Sequence, residues 1–256
     1  MSERPTSPPA LTASAPSGAA LPALLVALVG FALAGVIAGA GGQALAGVLG
    51  GPPEGWTLSI ALPIQGLVLV GSAWLMRAPF GFQAPTSLST TPIALLGLLG
   101  AQAWVELVTS QLGLDRAALD NLDAALLGPA GLPVAIGAVV FAAAGEELFF
   151  RGALFSSIRD RYGPVWAWLM SSALFAIWHG DPLHALAALC GGLWLGWVRL
   201  RSGSIWPSLA LHALNNLAWV LAARQSDAPH LGLEAGLLAI VAAIFWEQRI
   251  GRELSK

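Results

Sequence analysis

Long apolar runs, separated by short polar or Gly/Pro breaks, dominate the chain. A membrane-spanning helix needs about 20 mostly apolar residues. Eight segments meet or approach that length: 19–49, 56–76, 91–112, 132–158, 163–180, 182–199, 204–223 and 231–248. The first is Gly-rich and long, so this helix could be kinked or divided into two. The pattern predicts an all-α polytopic membrane protein with about eight transmembrane helices.

The remaining segments are polar or short. Residues 1–18 are rich in Pro, Ser and Thr and predict a disordered N-terminal tail. That tail holds a single Arg and precedes an apolar run longer than a signal sequence uses, so we expect the run to be the first spanning helix. Residues 113–130 predict a surface helix or loop. Residues 19–250 then form one transmembrane domain.

Composition supports the membrane assignment and excludes other classes. The chain is 56% hydrophobic and 10% charged, whereas soluble domains carry about 25% charged residues. No basic patch indicates a nucleic-acid partner. The single cysteine, Cys190, excludes an intramolecular disulfide. Of the 12 basic residues only Lys256 is a lysine, and with abundant Ala and Gly this is typical of a GC-rich bacterial genome.

The distribution of basic residues predicts the orientation. With eight crossings, one side of the membrane holds Arg4, Arg77, Arg159, Arg161, Arg199, Arg201, Arg249, Arg252 and Lys256. The other side holds only Arg116 and Arg224. Because cytoplasmic loops carry the excess of Lys and Arg, we expect both termini to be cytoplasmic, in a bacterial inner membrane.

Two adjacent glutamates, Glu146 and Glu147, lie within an apolar segment. Charged groups at bilayer depth are costly and mark functional sites by default. Neighbouring helix positions point about 100° apart, so only one glutamate can face a given cavity. Glu147 and Arg151 stand at i and i+4, the spacing of an ion pair. Glu146 is left as the chemically free carboxylate.

Three further polar residues are predicted to reach the same depth. Glu146 and His179 are equidistant from the turn at 162–164 between antiparallel helices, each roughly 20 Å from the cytoplasmic end, and are candidates to face each other. His212 and Asn216 share one helix face at i and i+4. A glutamate, two histidines and an asparagine together supply the groups for water activation and an oxyanion site.

The motif residues carry a resemblance to a known family. Glu146-Glu147-x-x-x-Arg151, Phe175-x-x-x-His179 and His212-x-x-x-Asn216 follow one another on successive apolar segments. In this order they resemble the three motifs of the CPBP intramembrane proteases, which include the CAAX-processing endopeptidases and the bacterial Abi proteins. The resemblance covers about residues 130–225, without departure at the motif positions.

The resemblance implies a role for each residue. Glu146 and His179 would activate a water molecule, and His212 and Asn216 would stabilise the oxyanion. Glu147 and Arg151 would support the site, and Phe175 would pack against His179. Asn215 lies next to Asn216, so the choice between these two asparagines rests on the family spacing. The expected partners are the lipid bilayer and a membrane-anchored protein or peptide substrate.

The sequence is compatible with several alternatives. Two Glu and two His would also suit zinc, but the HExxH spacing of zinc proteases is absent, and we favour no cofactor. The runner-up functions are a proton-coupled transporter and a non-enzymatic immunity or scaffold protein, since buried Glu, His and Arg also form proton relays. Trimming of a C-terminal sorting tail, as in myxosortase-like proteins, is one substrate hypothesis, and bacteriocin maturation is another. His184 is predicted to be interfacial.

Overall fold

The computed structural model describes residues 20–113 and 117–223, with side chains except at residues 20, 102–110, 112 and 118. Within these residues the protein is all helical, as the apolar pattern predicts. Eight helices follow in chain order: α1 Ala20–Leu49, α2 Pro53–Leu75, α3 Thr91–Leu112, α4 Ala117–Leu127, α5 Gly131–Tyr162, α6 Pro164–Trp178, α7 Pro182–Ser202 and α8 Trp206–Ala223. The predicted tail at 1–18 and the predicted span at 231–248 lie outside the described residues.

Some of these helices are long enough to cross a membrane. Within the described ranges, α1, α2, α5 and α7 are long and apolar enough to cross a membrane, so the chain is a membrane protein. Helix α6, with 15 residues, rises only about 22 Å against a hydrocarbon core of about 30 Å. The count of eight spans therefore stays a prediction. Helix α1 is one continuous helix, although its glycines were compatible with a division into two.

Proline, glycine and aspartate define the turns around α6. Gly163 adopts a positive φ of 89°, and Pro164 directly after it begins α6. Proline suits this first helical position because its missing N–H would have no partner there. At the other end Gly180 has a φ of 73°, and Asp181 precedes Pro182 at the start of α7. These short turns make α5, α6 and α7 consecutive antiparallel neighbours.

Helix α5 carries both glutamates and is irregular at two places. Residues Gly137–Ala142 and Glu147–Leu154 are π-helical, and a short α-helical stretch, Ala143–Glu146, separates them. Glu146 thus ends the α-helical stretch and Glu147 begins the second π segment. Short π segments inside α-helices are frequent at functional sites, because they redirect side chains and alter the backbone hydrogen-bond ladder.

Helices α2 and α5 touch through glycine. A Cβ atom on Gly145 would lie 2.5 Å from the carbonyl oxygen of Gly66, and a Cβ atom on Gly66 would overlap the backbone of Phe141. Small residues allow two membrane helices to approach until their backbones are in contact. The residue beside Glu146 is therefore fixed directly against α2.

Helix α4 is amphipathic and packs against the rest of the bundle. Its Leu119 packs in a buried cluster with Leu183 of α7, and its Leu126 packs in a second cluster with Trp56 and Val134. Asp120 on the same helix is exposed. Residues 113–130 therefore do include a helix, and its apolar face closes one side of the bundle.

The glycine contact predicts a difference between two substitutions on α2. Gly66→Ala should lower the free energy of unfolding by about 1–3 kcal/mol, because backbone atoms of α5 occupy the space of the new methyl group. Gly71→Ala, five residues along the same helix, meets nothing within 4 Å and should be neutral or stabilising by up to about 1 kcal/mol. Thermal unfolding of both variants in the same detergent measures the difference. Equal melting temperatures would contradict the close contact.

Candidate active site

A cavity of about 370 Å³ lies within the bundle, and each of the helices α1 to α8 contributes to its lining. Its wall is mainly leucine, alanine, phenylalanine and tryptophan. The polar side chains that line it are Gln65, Glu146, His179, His184, His212, Asn215 and Asn216. The structure thus brings the four residues predicted to carry the chemistry to one cavity.

Glu147 and Arg151 form an ion pair beneath this cavity. Arg151 Nη1 lies 3.1 Å from Glu147 Oε1, and both side chains are fully buried. Arg151 also donates to the Gly192 carbonyl at 3.3 Å, and its guanidinium lies 4.1 Å from the ring centre of Phe175. A buried charge is tolerated only when it is paired and hydrogen-bonded. The pair thus joins α5 to α6 and α7.

His212 lies between the two glutamates. Its Nδ1 is 3.0 Å from Glu147 Oε1, and its Nε2 is 3.6 Å from Glu146 Oε2. Because the Glu147 carboxylate is an acceptor, Nδ1 is assigned the proton of the neutral ring. Nε2 then meets the Glu146 oxygen as a second acceptor, and the approach is favourable only if one additional proton lies between them.

His179 follows the last residue of α6 and reaches the cavity from that side. Its Nδ1 lies 2.8 Å from the Phe175 carbonyl oxygen, which can only accept, so Nδ1 is assigned the proton. Nε2 of the neutral ring is then an acceptor. Among the described residues no direct hydrogen bond joins His179 to Glu146, so a facing pair would meet through an intervening molecule.

Asn216 lies one turn beyond His212 on α8. Its Nδ2 donates to the Ala138 carbonyl at 2.9 Å, and Ala138 belongs to the first π segment of α5. An asparagine amide carries two N–H groups, so this bond fixes the side chain and uses only one of them. Asn215 also lines the cavity, so geometry leaves both asparagines near the site.

The structure adds contacts to two residues that the sequence placed near helix ends. Arg199, counted among the cytoplasmic charges, is 1% exposed and its Nε donates to the Arg151 carbonyl at 3.0 Å. His184, predicted to be interfacial, lines the cavity beside His179. From sequence alone, a buried basic residue near a helix end cannot be distinguished from an exposed one, because the difference lies in the tertiary packing.

Two polar groups near the site have no sequence motif. Gln65 of α2 lines the cavity. Ser208, one turn before His212, is fully buried beside Glu147, and its hydroxyl donates to the Ile205 carbonyl. Neither residue could be selected from spacing alone, because single Gln and Ser residues occur throughout membrane helices.

The donor set does not resemble a metal site. Within residues 20–113 and 117–223, no three His, Cys, Asp or Glu side chains are grouped so as to hold a metal ion. The shared oxygen, Glu147 Oε1, already contacts both Arg151 and His212. These contacts would have to be broken before a metal could use the same atoms.

Comparison with known proteins supports the resemblance over part of the chain. Residues 128–218 match the model of a family described as Rce1-like, type II CAAX prenyl endopeptidase. The matched segment includes all seven motif residues, from Glu146 to Asn216. No curated protein and no solved structure matches the chain. The resemblance to the CAAX endopeptidases is thus confirmed for the segment that carries the site.

The buried ion pair predicts a large effect on stability from one arginine and a small effect from another on the same helix. Arg151→Met should lower the free energy of unfolding by about 3–5 kcal/mol, because it leaves Glu147 buried without its partner. Arg159 pairs with Asp160 at 2.8 Å, but the two side chains are 37% and 48% exposed, so Arg159→Met should cost no more than about 1 kcal/mol. Thermal unfolding in detergent compares them. A similar loss in both would contradict the structural role of Arg151.

Proposed function

We propose that the chain is an intramembrane endopeptidase that hydrolyses a peptide bond in a membrane-anchored protein or peptide. The observation that carries this proposal is the convergence of Glu146, His179, His212 and an asparagine pair on one apolar cavity. The match of residues 128–218 to a family of endopeptidases supports it independently. We assign the transmembrane domain to residues 19–250, with the catalytic residues in its second half.

Glu146 and His179 activate the attacking water. When the shared proton resides on His212, Glu146 is a carboxylate and accepts a proton from water, while Nε2 of His179 accepts the second hydrogen bond. The water oxygen forms a bond to the peptide carbonyl carbon, and the carbonyl oxygen becomes an oxyanion. Collapse of this intermediate breaks the C–N bond, and the proton held by Glu146 passes to the departing amine.

His212 and Asn216 stabilise the oxyanion. In its protonated form His212 presents an Nε2–H toward the cavity, and Asn216 has a second N–H beyond the one bound to Ala138. Donors already fixed in place lower the energy of the developing charge without reorganisation. Arg151 and Glu147 hold His212 at the required angle, and Phe175 packs against both histidine rings, with centroid distances of 4.8 Å to His179 and 5.7 Å to His212.

The lining of the cavity supports an apolar substrate. Leu58, Leu62, Leu119, Leu122 and Leu126 line the same cavity as the polar residues, and they favour an apolar residue of the substrate next to the scissile bond. In the predicted orientation both termini are cytoplasmic, in a bacterial cell membrane. Removal of a C-terminal anchoring tail from an exported protein is the reaction we propose for this cavity.

The geometry favours a protease over a proton-coupled transporter. A proton pathway needs titratable groups that follow one another across the bilayer. Transporters built from repeated halves also carry polar groups at corresponding positions of the two halves. Here Glu146, His179 and His212 line one cavity, and His212 contacts both glutamates. A scaffold or immunity protein would need no such arrangement around an internal cavity.

Loss of the general base should abolish processing without unfolding the protein. Glu146→Gln removes the proton acceptor but keeps the size of the side chain, so cleavage should fall by at least about 100-fold. His179→Ala should have an effect of the same order. Glu54→Gln, at an exposed position in the first turn of α2, is the matched control and should leave cleavage unchanged.

The measurement compares protein termini in the membrane and secreted fractions of deletion cells that carry each variant. Unprocessed species should accumulate with Glu146→Gln and with His179→Ala and be absent with Glu54→Gln. Immunoblots and thermal unfolding confirm that the variants are present and folded. Identical termini in wild-type and Glu146→Gln cells would overturn the proposed function.

A further inference from the structure

His184 lines the cavity, and the mechanism above gives it no role. Its imidazole packs against that of His179 with ring centres 4.5 Å apart and an interplanar angle of 64°. Among the described residues the His184 ring has no hydrogen-bond partner. Its contact with the site is thus through ring packing against His179.

The turn between α6 and α7 fixes the two histidines relative to each other. The Asp181 N–H donates to the His179 carbonyl at 2.8 Å, with Gly180 at a positive φ between them. Asp181 Oδ1 then accepts from the His184 N–H at 2.8 Å, which caps α7 at its third residue. Both backbones are therefore held by the same aspartate.

Phe175 makes the second ring contact to His179. The Phe175 ring centre lies 4.8 Å from that of His179 at an angle of 75°, and its carbonyl accepts from His179 Nδ1 at 2.8 Å. The His179 imidazole thus contacts two rings, both in edge-type geometry, and is anchored by one hydrogen bond. Without His184, one of these two ring contacts would be lost, and the single bond to Phe175 would permit the imidazole to tilt.

We propose that His184 is a positioning residue whose ring holds His179 with Nε2 directed at the attacking water. This inference rests on the proposed function. It differs from a role as a proton donor, because ring packing needs an aromatic group of the right size and no exchangeable proton. The two roles make opposite demands on the side chain at position 184.

Three substitutions at position 184 test the inference. His184→Ala should lower kcat by roughly 10- to 100-fold with KM nearly unchanged, since a small misorientation of a reacting group has effects of that size. His184→Phe keeps the ring without a titratable nitrogen and should restore most of kcat. His184→Gln keeps polar atoms without the ring and should resemble His184→Ala. The probe is the processed protein identified in the cell experiment, reconstituted with the enzyme in lipid vesicles.

A second measurement does not depend on turnover. Diethyl pyrocarbonate acylates the free nitrogen of a neutral imidazole, and mass spectrometry reports the rate at His179. That rate should rise several-fold in His184→Ala and stay near wild type in His184→Phe. If His184→Ala fails to fold, His184→Phe and His184→Gln can still be compared, because both side chains are larger than alanine. Their activities then decide between ring packing and proton transfer.

Two results would overturn the inference. One is wild-type kcat in His184→Ala. The other is an active His184→Gln beside an inactive His184→Phe, which would assign a proton-transfer role instead. Failure of the proposed function is distinguishable from both, because it would show as full processing by Glu146→Gln, whatever the behaviour of position 184.

Discussion

The fully buried contact between Glu147 and Arg151 is the interaction on which the rest of the site depends. The same Glu147 oxygen that meets Arg151 also meets His212, at 3.1 and 3.0 Å. Arg151 in turn reaches Gly192 on α7 and the Phe175 ring on α6. One carboxylate and one guanidinium thereby join four helices at a single point. The orientation of His212, and with it the contact to Glu146, follows from this arrangement.

The irregular backbone of α5 provides further contacts between helices at the site. The carbonyls of Ala138 and Arg151 lie in its two π segments, and each accepts a hydrogen bond from a side chain of another helix, Asn216 and Arg199. A π segment disturbs the regular ladder, so such carbonyls are open to outside donors. The contact of Gly145 with α2 fixes the same region from the opposite side. Helix α5 is therefore held beside the cavity by contacts from α2, α7 and α8.

Much of this architecture could be predicted from the sequence, because apolar periodicity and Gly/Pro turns are local signals. The helix bounds agree to within a few residues for α1, α2, α3, α6, α7 and α8. The i,i+4 spacing of Glu147 and Arg151 correctly indicated an ion pair. Because Glu146 and His179 are equally far along the chain from the turn at 162–164, the sequence predicted them at similar depth, and both line the cavity.

Contacts between helices could not be read in the same way. Regular helical rotation cannot anticipate two π segments, so the approach of His212 to both glutamates was not foreseen. The burial of Arg199 and the contact of His184 with the cavity could not be predicted, because a basic or imidazole side chain near a helix end has no local signal for tertiary packing. The role of α4 depends on which side of the bundle its leucines cover, and no local pattern carries that information.

The division of labour between the adjacent glutamates is tested most directly by exchanging each for glutamine in the purified protein and measuring cleavage and melting temperature together. We expect Glu146→Gln to melt within about 2 °C of wild type and to be inactive. We expect Glu147→Gln to melt far lower, because Arg151 loses its buried partner. Equal losses of stability in the two variants, or wild-type cleavage by Glu146→Gln, would contradict the account.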